Sequence, residues 1–341
     1  MMTVEQIYKL GIELGIESDP RGKAFVKKQL KRTQLEYDEM PKKNKQYFDK
    51  EYLTNPYSDS RILYTPSLDH EVKKIFAGID CDAPELMVAN QLGDIDLVLS
   101  HHPEGTALAD LHTVMDLQVE MLERAGVPIH IAESLMDARS AEVGRGIHPL
   151  NDQKSVDIAR VLNIPFMCTH TITDNMVTMF FEDLIEKNRK KIDTIGDIMD
   201  ILMEIPEYQV ATRLKSGPAI FIGSRKRRTG RIAITEMTGG TNGAKEMFEQ
   251  LSRAGVGTVI GMHMREDYKT EAQKHHINVI VAGHMSSDSL GMNLFLDELE
   301  KKGIEIVPIG GLIRAKRFKE KKASKKIKPK KKSTTAKKKK K

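Results

Sequence analysis

From Leu68 onward the chain alternates short β-branched runs with segments of helical period, and that alternation restricts the fold more than any other feature of its 341 residues. VKKIFAGID (72–80), DLVLS (96–100), PIHIAE (128–133) and IPFMCTH (164–170) read as strands, with helix-sized segments around 84–92, 109–125 and 151–163 between them. Helices near 175–190 and 193–204 lead into a second series. Its strands are AIFIGS (219–224), RIAITEM (231–237), GTVIGMH (257–263), NVIVAGH (278–284) and IEIVPIG (304–310), with helices at 243–254, 266–275 and 288–302. Strands joined through helices need crossover connections, so mainly parallel or mixed sheets covered by helices are expected. The expected fold class is α/β in two lobes, residues 68–210 and 211–313, dividing between Met203 and Gly217. Residues 1–67 read as a helical N-terminal extension, in which Ile7, Leu10, Ile12 and Leu14 form a short apolar stripe before Asp19-Pro20. The basic amphipathic stretch after Pro20 reads as an appendage with a solvated face.

Charge is distributed unevenly. The whole chain carries a formal +6, but residues 314–341 hold seventeen Lys or Arg against Glu320 alone, a net +16, which leaves residues 1–313 at −10. The terminal segment has almost nothing to bury and is expected to be disordered. It offers flexible positive charge to nucleic acid or another polyanion, without stacking aromatics beyond Phe318. Cys81 and Cys168 are too few for a disulfide framework, and no run of 18 apolar residues could form a transmembrane segment. The acids inside the first apolar stretch do not suit a secretory signal, so the expected location is cytoplasmic.

The chemistry gathers at strand ends, where ligands of open α/β sheets collect. DLVLS ends in His101-His102-Pro103-Glu104. IPFMCTH ends in His170 with Asp174 four residues on, and NVIVAGH ends in His284 with Asp288 four residues on. On a helix that spacing lets imidazole and carboxylate face one point. Mixed imidazole and carboxylate ligands suit Zn, Fe, Mn, Co or Ni, and five or six of them exceed what one tetrahedral ion needs. Cys168 reads as a buried structural thiol, and His263 is the best spare histidine. Residues 238–243 (TGGTNG) run from strand to helix, either as a simple turn or as backbone N–H groups presented to an anion. Five basic residues in 225–231 read as a solvated hairpin or as a steering patch for phosphate.

The runs IFAGIDCDAPELMVANQLGDIDLVLSHHP, HTITD and VIVAGHMSSDSLGMNLFLDEL, in that order, resemble the Nif-three-like dinuclear metal-centre family, also called GTP cyclohydrolase I type 2-like. The resemblance covers roughly residues 70–312. It implies two divalent ions in the cleft between two α/β lobes, and frequently a toroidal homo-hexamer. The implied ligands are His101, His102, Asp174, His284 and Asp288, with His170 beside the metals as an orienting or proton-handling group. Asp288 stands where the family pattern has Glu, one methylene longer. The interval from His102 to His170 is also long, and its surplus includes residues 135–152 (LMDARSAEVGRGIHPLND), read as a surface excursion or a lid.

These features lead to a metal-dependent hydrolase of a phosphorylated or nucleotide-like small molecule, with Glu104 as the candidate general base. Two alternatives use the same chain differently: a non-catalytic metal-binding regulatory or metal-handling protein, and a nucleic-acid binder acting through residues 314–341.

Overall fold

The structure is a computed structural model that describes residues 1–318. Two sheets form its frame. The first has the order β11-β4-β5-β6-β2, built from β2 (Ile62–Tyr64), β4 (Lys74–Gly78), β5 (Leu97–Ser100), β6 (Phe166–Cys168) and β11 (Glu305–Ile309). All its pairings are parallel except β2 with β6. The second has the order β7-β10-β9-β8, from β7 (Ala219–Ile222), β8 (Arg231–Glu236), β9 (Val256–Gly261) and β10 (Asn278–Val281), with only β7 antiparallel. A small ribbon joins β1 (Met2–Thr3) to β3 (Glu71–Val72). Two mainly parallel sheets covered by helices are therefore what the alternating pattern encodes.

Register places the site. Gly78 pairs with Ser100, and Ser100 with Cys168, so β4, β5 and β6 end level and release Asp80, His101-His102 and His170 at one edge. In the second sheet Glu236 pairs with Gly261 and Gly261 with Val281, so the 238–243 loop, His263 and His284 emerge together. The helices His170–Asn188 and His284–Lys301 start at these edges and bury most of their length. They approach so closely that a Cβ on Gly291 would lie 2.4 Å from the Thr173 carbonyl oxygen. Only glycine permits that crossing, which brings Asp174 and Asp288 side by side.

Four expectations change. PIHIAE is not a strand: Pro128 opens the helix Ile129–Ile147, in which Ala132 and Met136 are buried one turn apart. Over six residues a helical stripe imitated alternation, and much of the 135–152 surplus is that helix rather than a lid or a loop. IEIVPIG belongs to the first sheet, as β11 beside β4, because the helix His284–Lys301 carries the chain back. The N-terminal extension is not set apart from the first lobe: its helix Val4–Glu17, capped reciprocally by Thr3 and Gln6, buries Val4 and Ile7 in the first sheet's core. The following helix, Lys23–Glu39, does have the expected solvated face, with Val26 its buried residue.

The basic segment is described only as far as Phe318; residues 319–341 lie outside the described residues. Its first arginines are docked rather than loose: Arg314 bonds Asp297 and Glu300, and Arg317 grips the fully buried Glu207 with both guanidinium nitrogens at 2.6 Å. Among the described residues no helix is long and apolar enough to cross a membrane.

Candidate metal centre

His101 and His102 leave β5 on the Pro103 turn, and their backbone N–H groups bond the carbonyls of Gly78 and Ile79 at 2.9 Å. These bonds fix two adjacent imidazoles on one side of the edge, although along a strand they would point to opposite faces. His170 and Asp174 share one face of their helix, with His170 Nε2 3.8 Å from Asp174 Oδ2. His284 and Asp288 do the same at 3.4 Å. Asp288 is the hub, its Oδ1 3.7 Å from His101 Nε2 and its Oδ2 3.5 Å from His102 Nε2. His101 Nε2 is also 3.6 Å from Asp174 Oδ1.

Three sets result, each with ligand atoms within 4.8 Å of one another: His101, His102 and His170; His102, His284 and Asp288; and His101, Asp174 and Asp288. All five expected ligands therefore converge. His170 stands among the ligand sets rather than outside them.

Partners on the far side of each ring aim it. Nδ1 of His101 meets Thr173 Oγ1 at 3.0 Å, and that hydroxyl donates to the Thr169 carbonyl. Nδ1 of His102 meets Asp80 Oδ1 at 2.6 Å, and Nδ1 of His170 meets Asp59 Oδ2 at 2.8 Å. With Nδ1 engaged, Nε2 of each ring is free toward the centre, the arrangement that holds ligating histidines. Asp59 is fully buried and also accepts from the Thr171 hydroxyl at 2.7 Å and the Thr171 N–H at 3.4 Å, so it caps the helix whose histidine it orients. Sequence reasoning missed both carboxylates. Asp80 carried a signal, a carboxylate at the end of a central strand, whereas Asp59 lies outside the family resemblance and carried none.

The fit to metal is tested by unmet bonding. His101 Nε2, Asp174 Oδ1 and both oxygens of Asp288 are buried with no hydrogen-bond partner. Leaving such atoms unpaired costs about 1–3 kcal/mol each. The ligands are imidazole nitrogens and carboxylate oxygens, which suit borderline divalent ions.

Burial and neighbouring charges divide the protonation of the cluster unevenly. Burial pushes the Asp174 carboxyl well above its ordinary range and holds the His101 imidazole neutral. Burial also opposes charge on His102, but Asp288 and Asp80 outweigh it and raise that imidazole to about 10. Asp288, equally buried, is held down to about 2 by the surrounding imidazoles, His101 first among them.

One expectation about a neighbouring residue changes, and the basic hairpin takes its solvated reading rather than the phosphate-steering one. Glu104 belongs to none of the three sets and does not line the cleft: it sits at the start of the helix Gly105–Ala109, where burial raises its carboxyl beside Ser155, Asp82 and Lys154. The basic hairpin is also remote, since Arg231 opens β8 and the site lies at that strand's other end. Arg225 and Arg228 pair instead with Asp200 and Asp193.

A narrow cleft with a cavity volume of about 20 Å³ lies over the centre. His170, Asp174, His284 and Asp288 form one wall, and Glu236, residues 237–238 and 240–242, Met262 and His263 form the other.

No protein-family model and no curated protein matches the chain. Solved structures do. The NIF3 superfamily protein from Sphaerobacter thermophilus is 28% identical with a TM-score of 0.68, over 75% of this chain and 92% of that one. Reduced HcgD from Methanocaldococcus jannaschii is 13% identical with a TM-score of 0.46, over 73% and 88%. A Bacillus cereus protein related to NIF3 is 10% identical with a TM-score of 0.40, over 79% and 94%. The chain is thus a structural match to the NIF3 superfamily, with a NIF3-like α/β fold and a buried His/Asp cluster consistent with a dinuclear metal site.

Proposed function

We propose that the protein is a divalent-metal-dependent hydrolase of a phosphorylated or nucleotide-like small molecule. The observation that carries the reading is the set of four buried, unpartnered ligand atoms on His101, Asp174 and Asp288, gathered beside a narrow cleft. His101, His102, Asp174, His284 and Asp288 would hold two ions, with His170 as a sixth ligand on the first set. A divalent pair supplies a water made acidic enough to ionise near neutral pH and polarises the scissile group.

The chain's own residues do the rest. Asp288, present in two of the three sets, is the carboxylate that two ions would share. Its side chain is short, and the close crossing at Gly291 compensates by moving its helix toward Asp174. Asp59, Asp80 and Thr173 hold three imidazoles in the tautomer that leaves Nε2 free to ligate. Buried apolar neighbours such as Met237 and Met262 limit water around the reacting group.

The test is elemental analysis of the purified full-length protein, with hydrolysis of bis-p-nitrophenyl phosphate and of nucleotides followed in parallel. About two metal ions per chain are expected, together with turnover that falls at least a hundredfold in His102→Ala as metal is lost. Full turnover by metal-free His102→Ala would overturn the reading. A loaded protein without turnover on any substrate would favour the metal-handling alternative.

A further inference from the structure

The helix Lys23–Glu39 carries a charge pattern that neither the fold nor the metal centre uses. From Arg21 to Leu35 the chain has no Asp or Glu, although residues 1–313 as a whole carry −10. Lys27, Lys28, Lys31 and Arg32 are all exposed, whereas Val26 is fully buried. At about 100° per residue the four cations are centred roughly 170° around the helix from Val26, so they form one face turned away from the body. Lys23, at the helix start, pairs with Glu17 at 2.7 Å. Among the described residues the side chains of the other four have no ion-pair or hydrogen-bond partner.

Stability does not explain this arrangement. Lys27 and Lys31, and likewise Lys28 and Arg32, are like charges four residues apart, which repel across one helical turn. The helix has no acid in its first turn and no base in its last, where Glu36, Asp38 and Glu39 gather, so its charges oppose the helix dipole at both ends. A solvated helix shaped by stability alone would carry the reverse order. Local rules broken in this way, with no compensating contact, mark a surface kept for a partner.

The chemistry of that partner follows from what the face offers. Its four cations span about 7.5 Å of helix axis. Over that length duplex DNA presents about four phosphate charges, at one per roughly 1.7 Å. A lipid surface would need an apolar face to insert, but Val26 is buried against the protein and Leu35 is the one large apolar residue the helix exposes. No aromatic side chain stands among the four cations to stack on a base.

We propose that Lys27, Lys28, Lys31 and Arg32 form a docking face for the phosphate backbone of duplex DNA, gripping it without reading its sequence. The acidic remainder of the body is repelled by the same polyanion, so this helix sets which side of the molecule approaches. The face is separate from the His/Asp cluster, and the proposal stands or falls independently of the hydrolase reading.

The experiment is fluorescence-anisotropy titration of the full-length protein with a short labelled DNA duplex, between about 50 and 200 mM salt. Three proteins are compared: the parent; a variant with Lys27→Gln, Lys28→Gln, Lys31→Gln and Arg32→Gln; and a control that loses four exposed cations elsewhere, through Lys190→Gln, Lys191→Gln, Lys245→Gln and Lys302→Gln. Residues 314–341 are common to all three, so their own attraction cancels. The helix variant should bind about tenfold or more weakly at the lowest salt, and its plot of log K against log salt should be shallower by about 3–4. The control should stay within about one of the parent slope. On the unaltered protein, bound duplex should shield Lys27, Lys28 and Lys31 from acetylation, a reading that needs no variant to fold. The proposal is overturned if the parent does not bind duplex, if the control loses as much slope as the helix variant, if the three lysines are acetylated equally with and without DNA, or if phosphatidylserine vesicles bind the parent more tightly than duplex does.

Discussion

Replacing Asp174 by Asn should change stability in opposite directions with and without metal. In the metal-free protein Asp174 Oδ1 is buried and unpartnered, and burial keeps the carboxyl neutral far above its ordinary range. An amide of the same shape imitates that neutral acid. With chelator present, Asp174→Asn should therefore be as stable as the parent near pH 6. Above the raised pKa it should be more stable, because the parent must then bury a charge. With zinc present the parent gains about 2.7 kcal/mol at a hundredfold excess over Kd and about 4.1 at a thousandfold. At roughly 2 °C per kcal/mol for a chain of this size, that is about 5–8 °C in Tm. The variant loses a ligand 3.6 Å from His101 Nε2 and forfeits most of this gain. Thermal unfolding of both proteins in chelator and in zinc, at pH 6 and pH 8, measures the four values. The reasoning is refuted if zinc leaves the parent's Tm unchanged, or if Asp174→Asn is the less stable protein by the same margin in chelator and in zinc.

Other outcomes follow from the same structure. Gly291→Ala would put a methyl 2.4 Å from the Thr173 carbonyl oxygen, so it should cost about 1–3 kcal/mol or more in urea unfolding and weaken zinc binding by parting the two site helices. Burial raises the Glu236 carboxyl to about 7, so between pH ~4.3 and 7 the unfolded chain ionises while the folded chain keeps its proton, and stability falls as pH rises. Glu236→Gln should remove this loss, on the order of 3 kcal/mol, and unfolding in chelator should show it gaining on the parent from pH 5 to pH 8. Truncation after Ile313 removes Arg317 and leaves the fully buried Glu207 without its guanidinium, which should cost about 3–5 kcal/mol in urea unfolding.

Most strand and helix positions were legible because each carries a local signal. Ala83–Leu92 shows the point well: Asp82 and Glu85 form a reciprocal cap, a proline occupies the first turn, and Gly93 ends the helix in the left-handed conformation. The ligands were legible because imidazoles and carboxylates sit at strand ends in a spacing that a helix turns into one face. PIHIAE failed because six residues cannot distinguish a period of 2 from one of 3.6 when the apolar positions serve both. Glu104 stands outside the three sets because adjacency to His-His-Pro says nothing about where the chain turns after Pro103.

The sequence by itself determined the α/β class, the charge division between the acidic body and basic terminal segment, and the ligand types, since all three depend on residue identity and local spacing. Only the tertiary structure decided that β11 joins β4, that the N-terminal helix is core, and that Asp59 and Asp80 aim the imidazoles. It also decided that Glu236 and the 238–243 loop face the metal centre across one cavity. These are pairings between residues far apart in the chain. Their energies come from burial and hydrogen bonds that exist only once distant segments have met, so no local pattern encodes them.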